Sequence, residues 1–208
     1  MTRQRSRHSR LGMWWERFLS PLHARYALEQ RAFINKTYPS FNVLSQKGAF
    51  INGVFSGEAL PDYIGMANDY AWFAEAKETK GTRWNYDKLR GQQAEQLDRA
   101  LMHGHGAFLL IRETDRSLGH LVPWSRLRER WWAWETFCQT HPGGRAPSGS
   151  ASIAFSYLED RISVFVDRTV PGRFDYLHSL VEWMAVEAED RPTIYAQKAR
   201  RRNQRGRG

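Results

Sequence analysis

Three ionisable residues in one short stretch, Asp62, Glu75 and Lys77, have the types and spacing of a metal-dependent hydrolytic site. They belong to the segment PDYIGMANDYAWFAEAKET, which runs from Pro61 to Thr79. Side chains alternate between the two faces of a β-strand, so Glu75 and Lys77 point to the same side. Their neighbours are apolar on both faces, which is typical of an interior strand. Ionisable groups on such a strand are costly unless a partner compensates them.

The dipeptide at positions 68–69, Asn-Asp, predicts a two-residue hairpin turn in the middle of this segment. Such a turn pairs Ala67 with Tyr70 and therefore places Asp62 directly opposite Glu75. Like charges opposed across a β-ladder destabilise it, so the pair needs a cation or a strong shift in pKa. Mg²⁺ prefers carboxylate oxygens and would resolve the conflict, with Mn²⁺ as a substitute.

Lys77 lies one pleat beyond Glu75 and could hold or activate a water molecule near a scissile phosphate. The bare pattern D-x(n)-E-x-K is weak evidence, because it occurs by chance in about half of chains of this length. The strand, the turn and the opposed carboxylates give it weight. Gln93 adds a second indication, since it interrupts the apolar stripe of the following helix between Leu89 and Leu97. It is either tied to a backbone partner or directed at the polar site.

The elements that must position these residues follow from hydrophobic periodicity and from Gly, Pro, Asn and Asp breakers. The pattern predicts an α/β chain without internal repeats. Helices are predicted over Met13–Leu19, Leu22–Tyr38, Asn85–Met102, Pro123–Gln139 and Phe174–Ala188, the first two ended by Pro21 and Pro39. Strands are predicted over Phe41–Leu44, Ala49–Phe55, Asp62–Met66, Tyr70–Lys77, Gly106–Ile111, Leu118–Val122, Ile153–Phe155 and Ile162–Val166.

The charge of the chain indicates a polyanionic partner. The net charge is +9 over 208 residues, and both ends are rich in arginine. Arginine forms planar, paired contacts with phosphate, so we favour DNA over a role as solubility tails. The expected organisation is a basic arm over residues 1–12, one α/β domain over 13–190 and a basic tail over 191–208. The predicted DNA-binding residues are Arg3, Arg5, Arg7, Arg10, Lys80, Arg83, Arg200, Arg201 and Arg202.

Several classes of protein are not favoured by the sequence. No run approaches the roughly 18 apolar residues of a membrane span, and the basic N-terminus does not resemble a secretory signal. Cys138 is the single cysteine, so no intramolecular disulfide is available and we expect an intracellular location. The histidines show no zinc-binding spacing, and no glycine-rich phosphate loop indicates a nucleotide cofactor.

The same residues resemble a known family. PDYIG followed by EAKET is similar to the PD-(D/E)xK nuclease signature, and the wider pattern resembles RecU-type Holliday junction resolvases. In that family a DY-x-G strand precedes an FEAKET-like strand, an HQ pair lies on the next helix, and a basic GG-R loop and an R-I-D-Y-L segment follow. The matching positions here are Asp62–Gly65, Ala74–Thr79, Gln92-Gln93, Gly143–Arg145 and Arg173–Leu177, within a likeness that spans about Leu28 to Met184.

This resemblance implies a restriction-endonuclease-like mixed β-sheet flanked by helices, with basic arms at both ends. It implies a Mg²⁺-dependent crossover junction endonuclease that hydrolyses one phosphodiester in each of two opposed strands. Asp62, Glu75 and the Ala76 carbonyl would bind the metal, and Lys77 and Gln93 would assist the attacking water. A four-way junction is nearly twofold symmetric, so a homodimer is expected.

Two features set this chain apart from the family. The stretch Ser45–Leu60 is shorter than the family's projecting stalk, and the segment after Met184 has no counterpart. Glu29 is a candidate outer carboxylate of the metal site, although a surface helix position explains it equally well. The alternatives to a junction resolvase are a restriction or repair nuclease of the same superfamily acting on duplex DNA, and a non-catalytic DNA-binding protein.

Overall fold

A computed structural model describes residues 7–38, 40–48, 50–56, 60–144, 147 and 149–188. Its helices are α1 (Arg7–Leu28), α2 (Gly91–Met102), α3 (Trp124–Thr140) and a C-terminal helix over residues 177–188. Its strands are β1 (Phe33–Lys36), β2 (Ser40–Lys47), β3 (Phe50–Ser56), β4 (Tyr63–Ala67), β5 (Tyr70–Thr79), β6 (Arg83–Asn85), β7 (Gly106–Glu113), β8 (Leu118–Pro123), β9 (Ser152–Ala154) and β10 (Phe165–Arg168). A short helical segment, Phe155–Tyr157 continued by a π-turn over Leu158–Ile162, precedes β10. Among the described residues, no helix is both long and apolar enough to span a bilayer.

A six-stranded sheet in the order β1-β4-β5-β7-β8-β10 forms the centre of the fold. Strands β5 and β7 pair in parallel, and the other neighbours pair antiparallel. The parallel pair requires a crossover connection, which α2 supplies. Strands β2 and β3 form a separate hairpin, and β6 pairs with β9. The predicted mixed β-sheet flanked by helices is confirmed.

Each face of the sheet has its own hydrophobic core. On one face, Trp15 and Leu19 of α1 pack with Trp72 of β5 and with the C-terminal helix. On the other face, Leu97 of α2 and Trp131 of α3 pack against the alternate residues of β5, β7 and β8. Helices on both faces explain why the interior strands are apolar on both sides.

The predicted end of the first helix at Pro21 is wrong, because α1 continues through that residue to Leu28. A proline inside a helix loses one hydrogen bond and costs about 3 kcal/mol. Pro21 lies on the exposed side of α1, where water can satisfy the free carbonyl. Leu19 and Leu22 on the buried side pack into the core, and this burial offsets the cost.

The second predicted helix, Leu22–Tyr38, is also wrong beyond Leu28. Gln30 takes a left-handed conformation with φ 56°, and the Arg31 N–H donates to the Tyr26 carbonyl at 2.9 Å. This is the geometry of a Schellman helix end, usually formed by glycine. The following residues, Phe33–Lys36, form β1 on the edge of the sheet.

Other element boundaries also differ from the prediction, and three of them have a clear physical reason. The helix predicted from Asn85 begins as a 3₁₀ turn, Tyr86–Lys88, since Leu89 adopts an extended conformation to enter the core. The strand predicted over Ile162–Val166 begins only at Phe165, because Ile162 closes the buried π-turn. The helix predicted from Phe174 begins at residue 177, where the Asp175 carboxylate accepts the Leu177 N–H at 3.3 Å.

The register of the β4–β5 hairpin is as predicted. Ala67 pairs with Tyr70, and the turn residues Asn68 and Asp69 both have positive φ, 46° and 65°. That is the conformation of a type I′ turn. Gly65 pairs with Trp72 in this ladder, and a Cβ at Gly65 would lie 2.1 Å from the indole ring. The glycine of the DY-x-G motif therefore makes room for Trp72.

Candidate active site

The carboxylates of Asp62 and Glu75 face each other where β4 begins and β5 passes through the middle of the sheet. Asp62 directly precedes β4, and the pairing of Tyr63 with Ala74 puts it opposite Glu75. The Asp62 backbone N–H donates to Glu75 Oε2 at 3.3 Å, and the Ala76 N–H donates to Asp62 Oδ2 at 2.9 Å. These two hydrogen bonds link the acids through the backbone and hold them in place.

Lys77 supplies the positive charge of this cluster. Its Nζ lies 2.7 Å from Glu75 Oε1 and 3.1 Å from Gln93 Oε1. The Lys77 side chain is 15% exposed, whereas that of Glu75 is 1% exposed. The ammonium therefore lies at the opening of a buried acidic cluster, where an incoming anion would meet it first.

Gln93 joins the cluster from the first turn of α2. Its amide oxygen accepts from the backbone N–H of Arg90, which caps the helix, and from Lys77 Nζ. Its amide nitrogen donates to Glu75 Oε1. Both interpretations of this residue hold, since Gln93 is tied to a backbone partner and is also directed at the polar site.

Burial dominates the electrostatics of Glu75. It raises the pKa of this carboxyl to about 7; Lys77 lowers the pKa, and the charge of Asp62 raises it again. A carboxyl poised near neutrality, beside a second carboxylate, is a marker of functional sites. A divalent cation bound here would compensate both negative charges.

The donor set fits a hard divalent cation. Asp62 and Glu75 offer carboxylate oxygens on neighbouring strands, and these are the ligands that Mg²⁺ prefers. The N–H and C=O of one strand residue point to the same side. The Ala76 N–H binds Asp62, so the Ala76 carbonyl also faces the side on which β4 has ended.

The structure does not bring Glu29 to this cluster. Glu29 lies just after α1, with a side chain 44% exposed, and pairs with Arg25 at 3.7 Å and Arg31 at 3.2 Å. These contacts agree with the surface interpretation of Glu29 and offer no support for a role as an outer carboxylate.

The pairing of Glu16 of α1 with Lys36 of β1 was not predicted from the sequence. Glu16 Oε2 lies 2.5 Å from the Lys36 ammonium, and Lys36 also lies in the field of Asp62. Its signal in the sequence was weak, because a glutamate on a basic helix is ordinarily a surface residue. Its partner Lys36 lies on β1, a segment for which the sequence pattern predicts a helix.

Glu78, the second acid of EAKET, points to the opposite face of the sheet. It forms an ion pair with Arg112 of β7, and the Arg112 guanidinium lies 3.6 Å from the centre of the Trp14 ring. Glu78 therefore ties α1 to the sheet and lies away from the Asp62–Glu75 cluster.

The predicted DNA-binding residues fall into three groups. Lys80 and Arg83 are exposed just after β5, and the Arg83 side chain bonds Ser152 through Nε at 2.8 Å. Arg7 and Arg10 belong to α1, so residues 7–12 of the predicted arm are helical. Arg3, Arg5, Arg200, Arg201 and Arg202 lie outside the described residues.

Comparisons with known proteins identify the family of this chain. The model of the RecU family, recombination protein U, matches residues 10–181. The chain belongs to this family, as the sequence predicted. The match begins earlier than the expected likeness and includes most of α1.

A solved structure with similarity to this chain is the Holliday junction resolvase Hjc of Archaeoglobus fulgidus, from an archaeal hyperthermophile. The identity is 17% and the TM-score is 0.36, over 53% of this chain and 78% of that one. No curated protein matches the chain.

Proposed function

We propose that this protein is a structure-selective endodeoxyribonuclease that resolves four-way DNA junctions by paired, metal-dependent phosphodiester hydrolysis. The observation that carries the proposal is the convergence of Asp62, Glu75, Lys77 and Gln93 in one partly buried cluster. Membership of the recombination protein U family supports an endonuclease of recombination, acting on intracellular DNA.

Asp62, Glu75 and the Ala76 carbonyl would hold Mg²⁺ or Mn²⁺. When bound, the ion supplies Lewis-acid stabilisation of the phosphoryl oxygens and lowers the pKa of the attacking water. The two carboxylates are held in register by the hydrogen bonds of Asp62 N and Ala76 N. Such pre-organisation of charged groups is a main source of catalytic power.

Lys77 and Gln93 would position the reacting groups. The Lys77 ammonium can bind a phosphate oxygen at the opening of the cluster and orient a water with its N–H groups. Gln93 restricts that ammonium through its amide oxygen and restricts Glu75 through its amide nitrogen. Gln93 is thus a positioning residue for both the carboxylate and the lysine.

The remaining parts of the proposal concern DNA and assembly. The domain over residues 13–190 would carry the site, and Lys80, Arg83 and the arginines of the two ends would contact the phosphate backbone. Arg83 is held by Ser152 beside the β5 end, which gives it a fixed position. A homodimer would present two equal sites to the two opposed strands of a junction.

A cruciform plasmid tests the function directly. We expect the full chain with Mg²⁺ to convert a supercoiled plasmid that carries an extruded four-way junction to a linear product. Paired cuts on opposed strands of the junction break both strands of the plasmid at the same place. The same plasmid without the inverted repeat is the matched control and should stay supercoiled. Nicked circles alone would contradict paired cleavage. Equal cutting of both plasmids would favour a duplex nuclease, and no cutting with any divalent ion would favour a non-catalytic DNA-binding protein.

A further inference from the structure

A second group of metal-binding side chains lies at the far end of β7, away from the Asp62–Glu75 cluster. It consists of Glu113, the last residue of β7, His120 of β8 and Glu159 of the π-turn. One ligand atom from each lies within 4.8 Å of the other two. Glu113 pairs with Thr79 of β5, four residues beyond Glu75, so about 13 Å of strand separates the two groups.

His120 is the unusual member of this group. Its side chain is 0% exposed, and neither ring nitrogen has a hydrogen-bond partner among the residues that the structure describes. Nε2 is directed at the group, 3.7 Å from the Glu113 carboxylate, while the ring packs against Phe155. A buried imidazole without a partner is destabilising unless something binds its nitrogen. Burial also lowers the pKa of His120 to about 4, so at neutral pH the ring is a free nitrogen donor.

Arg116 neutralises the carboxylates but does not satisfy the histidine. Its Nε lies 3.1 Å from Glu113, and its guanidinium also pairs with Glu159. The Arg116 side chain is 47% exposed and that of Glu159 is 28% exposed. Both can therefore turn towards solvent or towards an ion without disturbing the core.

We propose that Glu113, His120 and Glu159 form a binding site for a divalent transition metal of the Zn²⁺ class, with Arg116 as the competing cation. One imidazole nitrogen with two carboxylates suits Zn²⁺ and its neighbours better than Mg²⁺, which prefers oxygen ligands. Two atoms bound at about 2.1 Å to one ion lie at most about 4.2 Å apart. The widest separation in the group, up to 4.8 Å, must therefore shrink by at least about 0.6 Å, and a movement of the partly exposed Glu159 side chain can supply this.

The bound ion would be structural, since Asp62 and Glu75 lie elsewhere on the sheet. It would fasten the β7–β8 hairpin to the helical segment that follows β9, elements joined in sequence only through α3 and the loop after it. Metal binding at Glu113, His120 and Glu159 is expected whether or not the protein is a nuclease.

Zn²⁺ uptake in a protein whose first site is disabled tests the proposal. In the Glu75→Gln full chain, equilibrium dialysis should show one Zn²⁺ per chain that excess Mg²⁺ does not displace. Adding His120→Phe removes a ligand without leaving a buried polar group, and should weaken Zn²⁺ binding at least about 100-fold. A Zn²⁺ concentration about 100 times Kd should raise the Tm of Glu75→Gln by about 5–10 °C but not that of the double variant.

Three further variants, each in the Glu75→Gln background, keep the result interpretable. Glu159→Gln changes a partly exposed residue, so it should fold even if His120→Phe does not, and it should weaken binding at least about tenfold. Arg116→Gln should tighten binding about tenfold by removing the competing charge. His178→Ala removes an exposed histidine that pairs with Glu182 and should change nothing. The proposal would be overturned if the Glu75→Gln chain took up no Zn²⁺, or if adding Glu159→Gln to it left Zn²⁺ uptake unchanged.

Discussion

The Asp62–Glu75 cluster and the Glu113–His120–Glu159 cluster occupy the same face of one sheet, yet they differ in how their polar groups are satisfied. Each combines a buried carboxylate, a second acid and a long basic side chain. In the first, Lys77 and Gln93 both hydrogen-bond to Glu75, and backbone N–H groups serve both acids. In the second, Arg116 serves the two acids and the histidine is left unpaired. The polar groups of the first cluster hydrogen-bond to one another, whereas the second cluster leaves the His120 ring nitrogens to a ligand.

The largest expected difference between the two clusters is the effect on junction cleavage of replacing their basic residues, Lys77 and Arg116. Lys77→Ala should lower junction cleavage by about 10²–10⁴-fold, because the ammonium at the opening of the cluster is lost. Metal binding should survive, since Asp62 and Glu75 remain. Arg116→Gln should cleave within about twofold of the parent chain. The measurement is the single-turnover rate of strand scission, with Mg²⁺ affinity determined in parallel. If the parent chain and Lys77→Ala cleaved junctions at the same rate, the two clusters would not differ in function as proposed.

The buried acid and the buried histidine should shift stability with pH in opposite directions. Glu75 has its pKa raised from 4.5 to about 7, so its stabilising contribution is present below about pH 4.5 and is lost as the pH rises to about 7. His120 has its pKa lowered from 6.5 to about 4, so its contribution is present above about pH 6.5 and is lost as the pH falls to about 4. Each effect is on the order of 3 kcal/mol and they partly offset.

Urea unfolding in metal-free buffer between pH 4.5 and 7 separates the two effects. Glu75→Gln should make the free energy of unfolding rise more steeply with pH than in the parent chain, and His120→Phe should make it rise less. Both variants remove one titrating group at nearly constant shape, so each serves as the control for the other. If the free energy of unfolding changes with pH in the same way in all three proteins, folding does not shift the pKa of either group.

The two clusters also show what the sequence could reveal. Asp62, Glu75 and Lys77 belong to one hairpin with a two-residue turn, so strand periodicity and turn chemistry predict their register. Gln93 was recognised because it broke an apolar stripe. The second cluster combines residues of another hairpin, Glu113 and His120, with Glu159 of a distant π-turn. No local sequence pattern indicates that His120 and Glu159 lie close together.

The wrongly predicted helix ends also come from contacts between segments that are distant in the sequence. The packing of α1 outweighed Pro21, and Gln30 adopted a conformation usually left to glycine. Both are tertiary effects that local propensity does not contain. The pair of Glu16 with Lys36 could not be predicted, because the pattern predicts a helix where β1 carries Lys36.

The Glu75→Gln variant tests most directly whether Asp62 and Glu75 are the acids of a metal-dependent nuclease. This change keeps the shape of the side chain and removes one of two charges that would hold the ion. We predict that the variant folds, binds a labelled four-way junction in metal-free buffer at least as tightly as the parent chain, and loses nearly all Mg²⁺-dependent strand scission. A Glu75→Gln protein that binds junctions and still cuts them at the parent rate would contradict the account.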